Sequence, residues 1–479
     1  MKLFRLPPLL FLLVLVSSFG KGKDRRHPFD PKRIYTIEEL QEDFRALRKD
    51  IEKRQPNLYL YTPKERMDFV FDSLYKGIDH PMDFYEFYFH ITAVLSFIKD
   101  GHNLIAPGTR AGAYHAKNSK FFPLHISSVD GKLYSDMNFS QDSLLRDGSE
   151  ILSINGKTAQ KLRAEFLERM VRDGYNETLP DWVMNVYFRG FYNNFYGFPE
   201  KFVISYSDPD GVFHVDSVPA ERLDSINKRW ARNYAKQVKF QKQRWCGLSF
   251  RFDSLSKIPV MRIQSFDPTL LKKGYHQHFK KAVDGFFEKL DSAKSGTLIL
   301  DVRDNNGGDP MLAVYLLRRL MNEPFVYAEK ALQTRRFNPG HRMSRLTRCK
   351  IYGFGTNTYK PVKKHFSGKL IVLINGGSFS ATGELSSVLS RYKRAVFIGE
   401  ETGGNPVICG GQMFKHSLTL PNTGINCITG TEATILADLQ TNNGHGTLPD
   451  YFVHNSIEDI LANKDAEMNF ALELAQGKK

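Results

Sequence analysis

The sequence predicts an α/β fold: a core with a mixed, largely parallel sheet, preceded by an N-terminal helical domain and a small β-rich module. Three patterns carry this prediction. Apolar residues recur at helical spacing from about Thr36 to Ile98, and from about Phe121 they alternate around Asp-Gly turns. From Ile258 onward, strand-like runs alternate with helix-like runs, which is typical of right-handed crossovers and a parallel sheet.

The first residues have the layout of a secretory signal peptide. Lys2 and Arg5 precede an apolar run from Leu6 to Val16, and small residues follow up to Gly20. This run is too short to span a bilayer as a stable helix, so residues 1–20 are predicted to be removed on export. An uncleaved N-terminal anchor is the alternative. The mature protein is expected to be periplasmic or extracellular, with no transmembrane segment.

Residues 21–118 are predicted to form the helical domain and residues 119–220 the β-rich module. In the first, "IEELQEDFRALRKDIEKRQP" and "KERMDFVFDSLYKGI" each carry an apolar face, and "MDFYEFYFHITAVLSFI" predicts one aromatic-rich helix. In the second, "FPLHISSVDGKLYSDMNF" and "FVISYSDPDGVFHVDSV" indicate strands joined by Asp-Gly turns. A strand, an Asn-Gly turn and an amphipathic helix are expected between them.

Residues 221–479 are predicted to form the α/β core. Its buried strands are expected in "IPVMRIQSF", "GTLILDV", "KLIVLIN" and "AVFIGEE", with helices between them. Two glycine-rich turns, "RDNNGGDP" and "GGSFSAT", occur at strand ends. Parallel α/β sheets form their sites at the carboxyl ends of strands, so both turns are candidates for a functional site.

Composition excludes several classes of protein. The formal net charge is +15, but the basic residues are scattered and no nucleic-acid-binding pattern organises them. They are interpreted as a solvated face or as attraction for anionic surfaces. The cysteines permit three disulfide pairings, select none and lack metal-ligand spacing: Cys246, Cys349, Cys409 and Cys427. No metal or organic cofactor is implied by the motifs.

The stretch "INGGSFSATGEL" combines serines and glycines between an apolar run and a predicted helix. Taken alone, it is typical of a capped turn. A serine held there, near free backbone N–H groups at a helix start, also suits acyl transfer. The loop "RDNNGGD" could supply a second N–H donor from Gly307 or Gly308. Neither loop has the Gly-Lys-Ser/Thr pattern of a phosphate loop, which disfavours nucleotide binding.

The chain resembles the tail-specific, or C-terminal-processing, serine peptidases and the related tricorn core proteases. The segments "LILDVRDNNGGD", "LINGGSFSATGE", "FIGEETGGNP" and "GHGTLPDYFV" occur in the order found in that superfamily. The segment "FIKDGHNLI" is similar to the Asp-Gly-His segment of a branch with exported bacterial members, and "GSEILSING" is similar to its PDZ-like module. The resemblance covers most of the chain after the signal peptide.

The resemblance implies roles for particular residues. Ser380 matches the nucleophile, Ala381 would donate its backbone N–H to the oxyanion opposite Gly307 or Gly308, and Ser378 becomes a turn or cap residue. In the lysine-dependent branch the general base falls at the position of Asn405. Because an asparagine side chain cannot act as a base near neutral pH, a Ser–Lys dyad is not supported.

The other branch uses histidine, and its pattern matches His102. A neutral imidazole can accept the serine proton near neutral pH. Two positions depart from the tricorn pattern: Gly101 replaces a serine, and Asn443 replaces a glutamate. The group that orients His102 is therefore open, and the alternative base is His445. The carboxylates considered for the orienting role are Asp100, Glu384, Glu400 and Glu401.

Two functions follow from these observations. The first is an exported serine endopeptidase or C-terminal-processing peptidase that acts on polypeptides with an accessible tail, with the PDZ-like module capturing an extended peptide as an added strand. The module could equally be a rigid spacer. The second is a catalytically inactive protein that binds peptides or hydrophobic ligands on the same frame, since fold does not fix function. A nonproteolytic esterase is a lesser alternative. The sequence does not determine the oligomeric state.

Overall fold

The computed structural model describes residues 28–333, 357–411 and 417–478. The predicted signal peptide and Cys349 lie outside the described residues. The other three cysteines carry free thiols. None of the helices in the described ranges combines the length and the apolar character that a membrane span requires.

The N-terminal segment is largely helical, as the sequence predicts. Thr36 starts the first helix with a capping box, because its hydroxyl accepts the Glu39 N–H while the Glu39 carboxylate accepts the Thr36 N–H. The aromatic run predicted as one helix is two helices, α3 and α4. The elements are α1 (Ile37–Arg54), α2 (Lys64–Lys76), α3 (Phe84–Thr92), α4 (Leu95–Ile98), β1 (Leu104–Ala106) and α5 (Gly108–Asn118).

An antiparallel sheet follows, with strand order β2-β3-β4-β6-β7 and the short β5 paired to β4. A helix of 19 residues, which the sequence did not reveal, packs against the edge strand β2. The elements are β2 (Leu124–Val129), β3 (Lys132–Asn138), β4 (Ser149–Ile154), β5 (Lys157–Thr158), α6 (Ala159–Leu167), α7 (Thr178–Tyr196), β6 (Lys201–Ser207) and β7 (Phe213–Pro219).

The remaining chain forms the α/β core and two small sheets beside it. Its elements up to the middle are α8 (Leu223–Asn233), α9 (Ala235–Arg244), β8 (Leu248–Phe252), β9 (Pro259–Ile263), α10 (Pro268–Tyr275), α11 (Phe279–Ser292), β10 (Thr297–Asp301), α12 (Pro310–Leu320), β11 (Phe325–Val326), β12 (Lys330–Gln333) and β13 (Thr358–Tyr359). Then come β14 (Lys369–Ile374), α13 (Ala381–Arg391), β15 (Val396–Gly399), β16 (Ile408–Gly411), β17 (Ser417–Thr419), β18 (Asn426–Ile428), β19 (Glu432–Ile435), β20 (Tyr451–Phe452), α14 (Ile457–Leu461) and α15 (Ala466–Ala475).

The central sheet has the order β20-β15-β14-β10-β9-β8, and only β8 runs antiparallel to its neighbour. This confirms the predicted mixed, largely parallel sheet. Helices α11, α12 and α13 bury their apolar faces on one side of the sheet, and α15 covers the other. Because β9, β10, β14 and β15 are parallel, the loops that follow them meet at one edge of the sheet.

The helical segment and the antiparallel sheet share one hydrophobic core, which also takes in Leu420, Ile425 and Cys427 from the far end of the chain. Strand β1 pairs with β18 in a small sheet, with Leu104 opposite Ile428. Residues just after His102 are thus fixed by residues near the C-terminus. The boundaries 21–118, 119–220 and 221–479 remain predictions.

Candidate active site

The turn after β14 presents Ser380 in a strained backbone conformation. Ser380 immediately precedes α13, and its φ of 55° with ψ of −128° is a conformation that residues with side chains rarely adopt. The turn is held by Ser378, which is fully buried, donates to the Val302 carbonyl at 2.9 Å and accepts the Asn375 N–H at 3.1 Å. A strained serine at a strand-to-helix turn has its hydroxyl pushed out of the turn, as a nucleophile requires.

The glycine loop after β10 lies directly against this turn. The backbone of Gly307 has φ of 90°, and a Cβ added there would be 2.7 Å from Ser380 Cβ and 2.8 Å from Ala381 N. The Gly307 N–H donates to Asn305 Oδ1 at 2.9 Å, so it is not free to bind an oxyanion. Within the described part of the chain, the Gly308 and Ala381 N–H groups have no acceptor. This favours Gly308 over Gly307 as the donor opposite Ala381.

We expect Gly307→Ala to lower kcat by about 10²–10³, the cost of losing one oxyanion donor, because the new methyl group would displace Ser380 and the Ala381 N–H. The matched control is Gly131→Ala. Gly131 also has a positive φ, of 78°, but nothing lies within 4 Å of its added Cβ. Steady-state kinetics on both folded variants measures the difference. Equal activity in the two would contradict the proposed geometry.

His102 reaches Ser380 from the N-terminal segment. Its Nε2 lies 3.1 Å from Ser380 Oγ, although the two residues are 278 positions apart. Its Nδ1 lies 3.3 Å from Asp100 Oδ1, which also accepts the His102 backbone N–H at 2.9 Å. The other oxygen of Asp100 accepts Gln55 Nε2 at 2.7 Å. The three side chains therefore form a continuous Ser–His–Asp chain of hydrogen bonds.

The structure accounts for glycine where the tricorn pattern has serine. A Cβ at Gly101 would lie 2.7 Å from the Phe379 ring and 3.1 Å from Asp173 Oδ1. The Phe379 ring in turn packs on the His102 imidazole, with the centroids 4.6 Å apart. Phe379 thus occupies the space that a side chain at position 101 would need.

The charges around the imidazole favour its protonated form. Burial, the largest effect, lowers the pKa of His102, but the hydrogen bond and charge of Asp100, together with the charges of Asp173 and Glu384, raise it above its ordinary value. Burial, the largest effect, raises the pKa of Asp100. The hydrogen bonds and charge of His102 and the hydrogen bond from Gln55 outweigh burial and hold the pKa of Asp100 below its usual range. Asp100 is ionised at neutral pH and able to orient His102.

The other carboxylates considered for the orienting role have different partners. Glu384 accepts the Tyr327 hydroxyl at 2.5 Å, and burial raises the pKa of Glu384. Glu400 lines a cavity of about 500 Å³ at the edge of the central sheet, where burial raises the pKa of Glu400 to about 7. Glu401 lies 3.3 Å from His445 Nδ1. Among the described residues, no hydrogen bond joins His445 to Ser380.

Asn405 and Asn443 are turn residues in the structure. The Asn405 side chain is buried and accepts the Val407 and Ile408 N–H groups at 2.8 and 3.1 Å. Asn443 accepts the His445 N–H at 3.0 Å. Both amides therefore accept backbone N–H groups in loops beside the site.

Two residues near His102 were not found by sequence reasoning. Asp173 accepts the Gly101 N–H at 2.7 Å and the Asn405 N–H at 3.2 Å, and Gln55 donates to Asp100. Asp173 stands in an Asp-Gly pair that is typical of any turn, so the sequence offers no signal for its role. Nitrogen and oxygen atoms of Asp100, His102 and Asp173 lie within 4.8 Å of one another, a spacing that a metal ion could also use.

Comparison with known proteins relates the part of the chain around Ser380 to a peptidase family. Residues 257–453 match the model of peptidase family S41. The matched segment includes Ser380 and both glycine loops. This match supports the predicted membership in the S41 tail-specific peptidase superfamily. The same match supports a serine-type peptidase with polypeptide substrates. Among curated protein sequences, none matches the chain significantly.

One solved structure extends the likeness beyond the matched segment. The crystal structure of mature CPAF superposes with a TM-score of 0.63 at 14% identity, covering 92% of this chain and 96% of that one. The photosystem II D1 C-terminal processing protease has a TM-score of 0.39 at 14% identity, covering 88% of this chain and 96% of that one. At these identities, the match to mature CPAF shows that the two proteins share a fold.

Proposed function

We propose that this protein is an exported serine peptidase in which Ser380 is the nucleophile and His102 is the general base. The observation that carries the proposal is the 3.1 Å contact between His102 Nε2 and Ser380 Oγ, made between residues from opposite halves of the chain. A nucleophile and a base within hydrogen-bond reach, with the base oriented by a third group, are what acyl transfer requires. Asp100 is the proposed third group.

The reaction uses each group in turn. His102 Nε2 takes the proton from Ser380 Oγ as that oxygen attacks the scissile carbonyl carbon. The backbone N–H groups of Gly308 and Ala381 stabilise the negative oxygen of the tetrahedral intermediate. The imidazolium then gives its proton to the leaving amine, and an acyl ester on Ser380 remains. Water, deprotonated by the same imidazole, hydrolyses the ester and restores the serine.

We propose that the substrates are polypeptides with an accessible, unfolded tail, and that the antiparallel sheet captures them. One edge of this sheet, β2, is already occupied: Asn185 accepts the Ser128 N–H at 2.6 Å, and Arg189 donates to the Leu124 carbonyl at 3.1 Å. At the opposite edge, Phe213 and Val215 of β7 are 62% and 56% exposed. An added peptide strand would therefore pair with β7.

The test is labelling and cleavage by purified protein. We expect a serine-reactive phosphonate to label Ser380 stoichiometrically, and an unfolded polypeptide panel to be cleaved by wild type but not by Ser380→Ala. A chelator should leave activity unchanged, since no step uses a metal; activity lost on chelation and restored by zinc would contradict this mechanism. Wild type and Ser380→Ala that are equally inactive, with tight binding of peptide or hydrophobic ligand, would instead favour the inactive binding protein.

The pH dependence of kcat/KM should report His102. Only the neutral imidazole can accept the serine proton, so activity should rise with pH through the pKa of His102. Because neighbouring carboxylates raise that pKa, we expect the midpoint of the acid limb above the ordinary value of about 6.5. Initial rates at saturating and limiting peptide across the pH range measure it. A midpoint below that value would contradict the carboxylate environment described above.

A further inference from the structure

The carboxylate of Asp173 joins two loops that must meet for the site to exist. It is 4% exposed, and its two oxygens accept the backbone N–H groups of Gly101 and Asn405, at 2.7 and 3.2 Å. Gly101 precedes His102, whereas Asn405 belongs to the loop after β15, whose Gly404 N–H donates to the Ser378 carbonyl at 3.2 Å. Asp173 therefore connects the loop of the base with the loop that touches the turn of the nucleophile.

The same carboxylate acts on His102 through its charge. An oxygen of Asp173 and a ring nitrogen of His102 lie within 4.8 Å of each other, with Asp100 in the same cluster. Opposite charges at about 4–6 Å shift a pKa by roughly 1–3 units in a protein interior. A negative Asp173 therefore stabilises the imidazolium form of His102, without touching the nitrogen that receives the serine proton.

The other titratable groups around this pair do not replace Asp173. Asp100 comes from the same loop as His102, and Glu384 comes from α13. Cys409 of β16 and Tyr61 also face the cluster, but burial raises the pKa of each, so both are neutral at neutral pH. The environment of His102 is therefore dominated by buried carboxylates.

The cations nearest to Asp173 in sequence are directed elsewhere. Lys99 Nζ lies over the Tyr175 ring, 4.1 Å from its centroid, and Arg172 donates to the Leu167 carbonyl. Burial, followed by the charge of Asp100, raises the pKa of Asp173 to about 7. Acidification below neutral pH therefore protonates this carboxylate. A protonated Asp173 would lose both its charge and part of its capacity to accept the two N–H groups.

We propose that Asp173 is a positioning residue of the peptidase reaction: it holds the His102 loop against the Asn405 loop, and its negative charge stabilises the imidazolium formed when Ser380 loses its proton. The proton passes from Ser380 Oγ to His102 Nε2 and later to the leaving amine, while the ionised form of Asp173 neither gives nor takes a proton. This role rests on the proposed function and adds a second carboxylate to the pair formed by His102 and Asp100.

The test compares pH profiles of kcat and kcat/KM for wild type, Asp173→Asn and Asp43→Asn. Asp43 is a matched control, because it is fully buried and its two oxygens accept the Asn422 and Thr423 N–H groups at 2.8 and 2.9 Å, away from His102. We expect Asp173→Asn to move the acid limb down by about one pH unit and to lower kcat about tenfold. Asp43→Asn should keep the wild-type midpoint.

An unchanged midpoint in folded Asp173→Asn would overturn the proposal, even if kcat fell, because a purely structural role predicts that result. If Asp173→Asn does not fold, Asp173→Glu replaces it: the charge is kept but displaced, so we expect a lower kcat with the wild-type midpoint, and a midpoint one unit lower would overturn the proposal. Failure of the proposed function is distinguishable, since wild type would then show no cleavage that depends on Ser380.

Discussion

His102→Ala is expected to reduce kcat to the same residual level as Ser380→Ala, a loss of roughly 10⁵–10⁶, with folding and substrate binding largely intact. The reason is that Ser380 is a poor nucleophile unless its proton is removed as it attacks, and only His102 lies within hydrogen-bond distance of Ser380 Oγ among the described histidines. Because the two residues act as a unit, the double variant should be no slower than either single variant.

The control for this prediction is His445→Ala. His445 is the other histidine that the sequence offers as a base, but it is paired with Glu401 and its side chain is 45% exposed. We expect it to keep most of the wild-type activity, with circular dichroism showing that all variants are folded. Loss of activity in Ser380→Ala, combined with full activity in His102→Ala, would refute the histidine assignment and preserve the serine one.

Asp100→Asn is expected to lower kcat by about 10³–10⁴ with a small change in KM. An amide at this position can present its NH₂ group to His102 Nδ1, which stabilises the tautomer that carries the proton on Nε2 and cannot accept the serine proton. It also removes the charge that stabilises the imidazolium. Single-turnover cleavage by the folded variant separates this effect from substrate binding.

The matched control is Glu401→Gln. The sequence offered Glu401 as another candidate for orienting His102, but its carboxylate contacts His445 and the Gly446 N–H instead. We expect it to retain activity within a few-fold of wild type. If Glu401→Gln lost as much activity as Asp100→Asn, or if Asp100→Asn kept full activity, the Ser–His–Asp chain of hydrogen bonds would not be the catalytic arrangement.

Features that depend on a short stretch of sequence could be predicted. The buried strands β9, β10, β14 and β15 were predictable from apolar runs, and the position of Ser380 at a helix start was predictable from "IVLI" followed by helical spacing. The pairing of Asp100 with His102 was one of several open alternatives, because Glu384, Glu400 and Glu401 satisfy the same local criteria. Only side-chain distances could separate them.

Contacts between distant parts of the chain could not be predicted from the sequence. Asp173, Gln55 and the packing of Phe379 on His102 depend on how the N-terminal segment docks on the core, and no periodicity encodes that docking. The same applies to the choice of Gly308 over Gly307. It rests on a hydrogen bond from Gly307 to the Asn305 side chain, a bond that the motif does not distinguish from a free N–H.

The pairing of β1 with β18 makes the surroundings of His102 depend on a segment that is synthesised after Ser380. A chain leaving the ribosome presents the Asp-Gly-His loop early and Ser380 much later, but the strand that follows the loop gains its partner only when Asn426–Ile428 has emerged. Until then that strand lacks its partner, so the arrangement of His102 opposite Ser380 is complete only when the chain extends past Ile428.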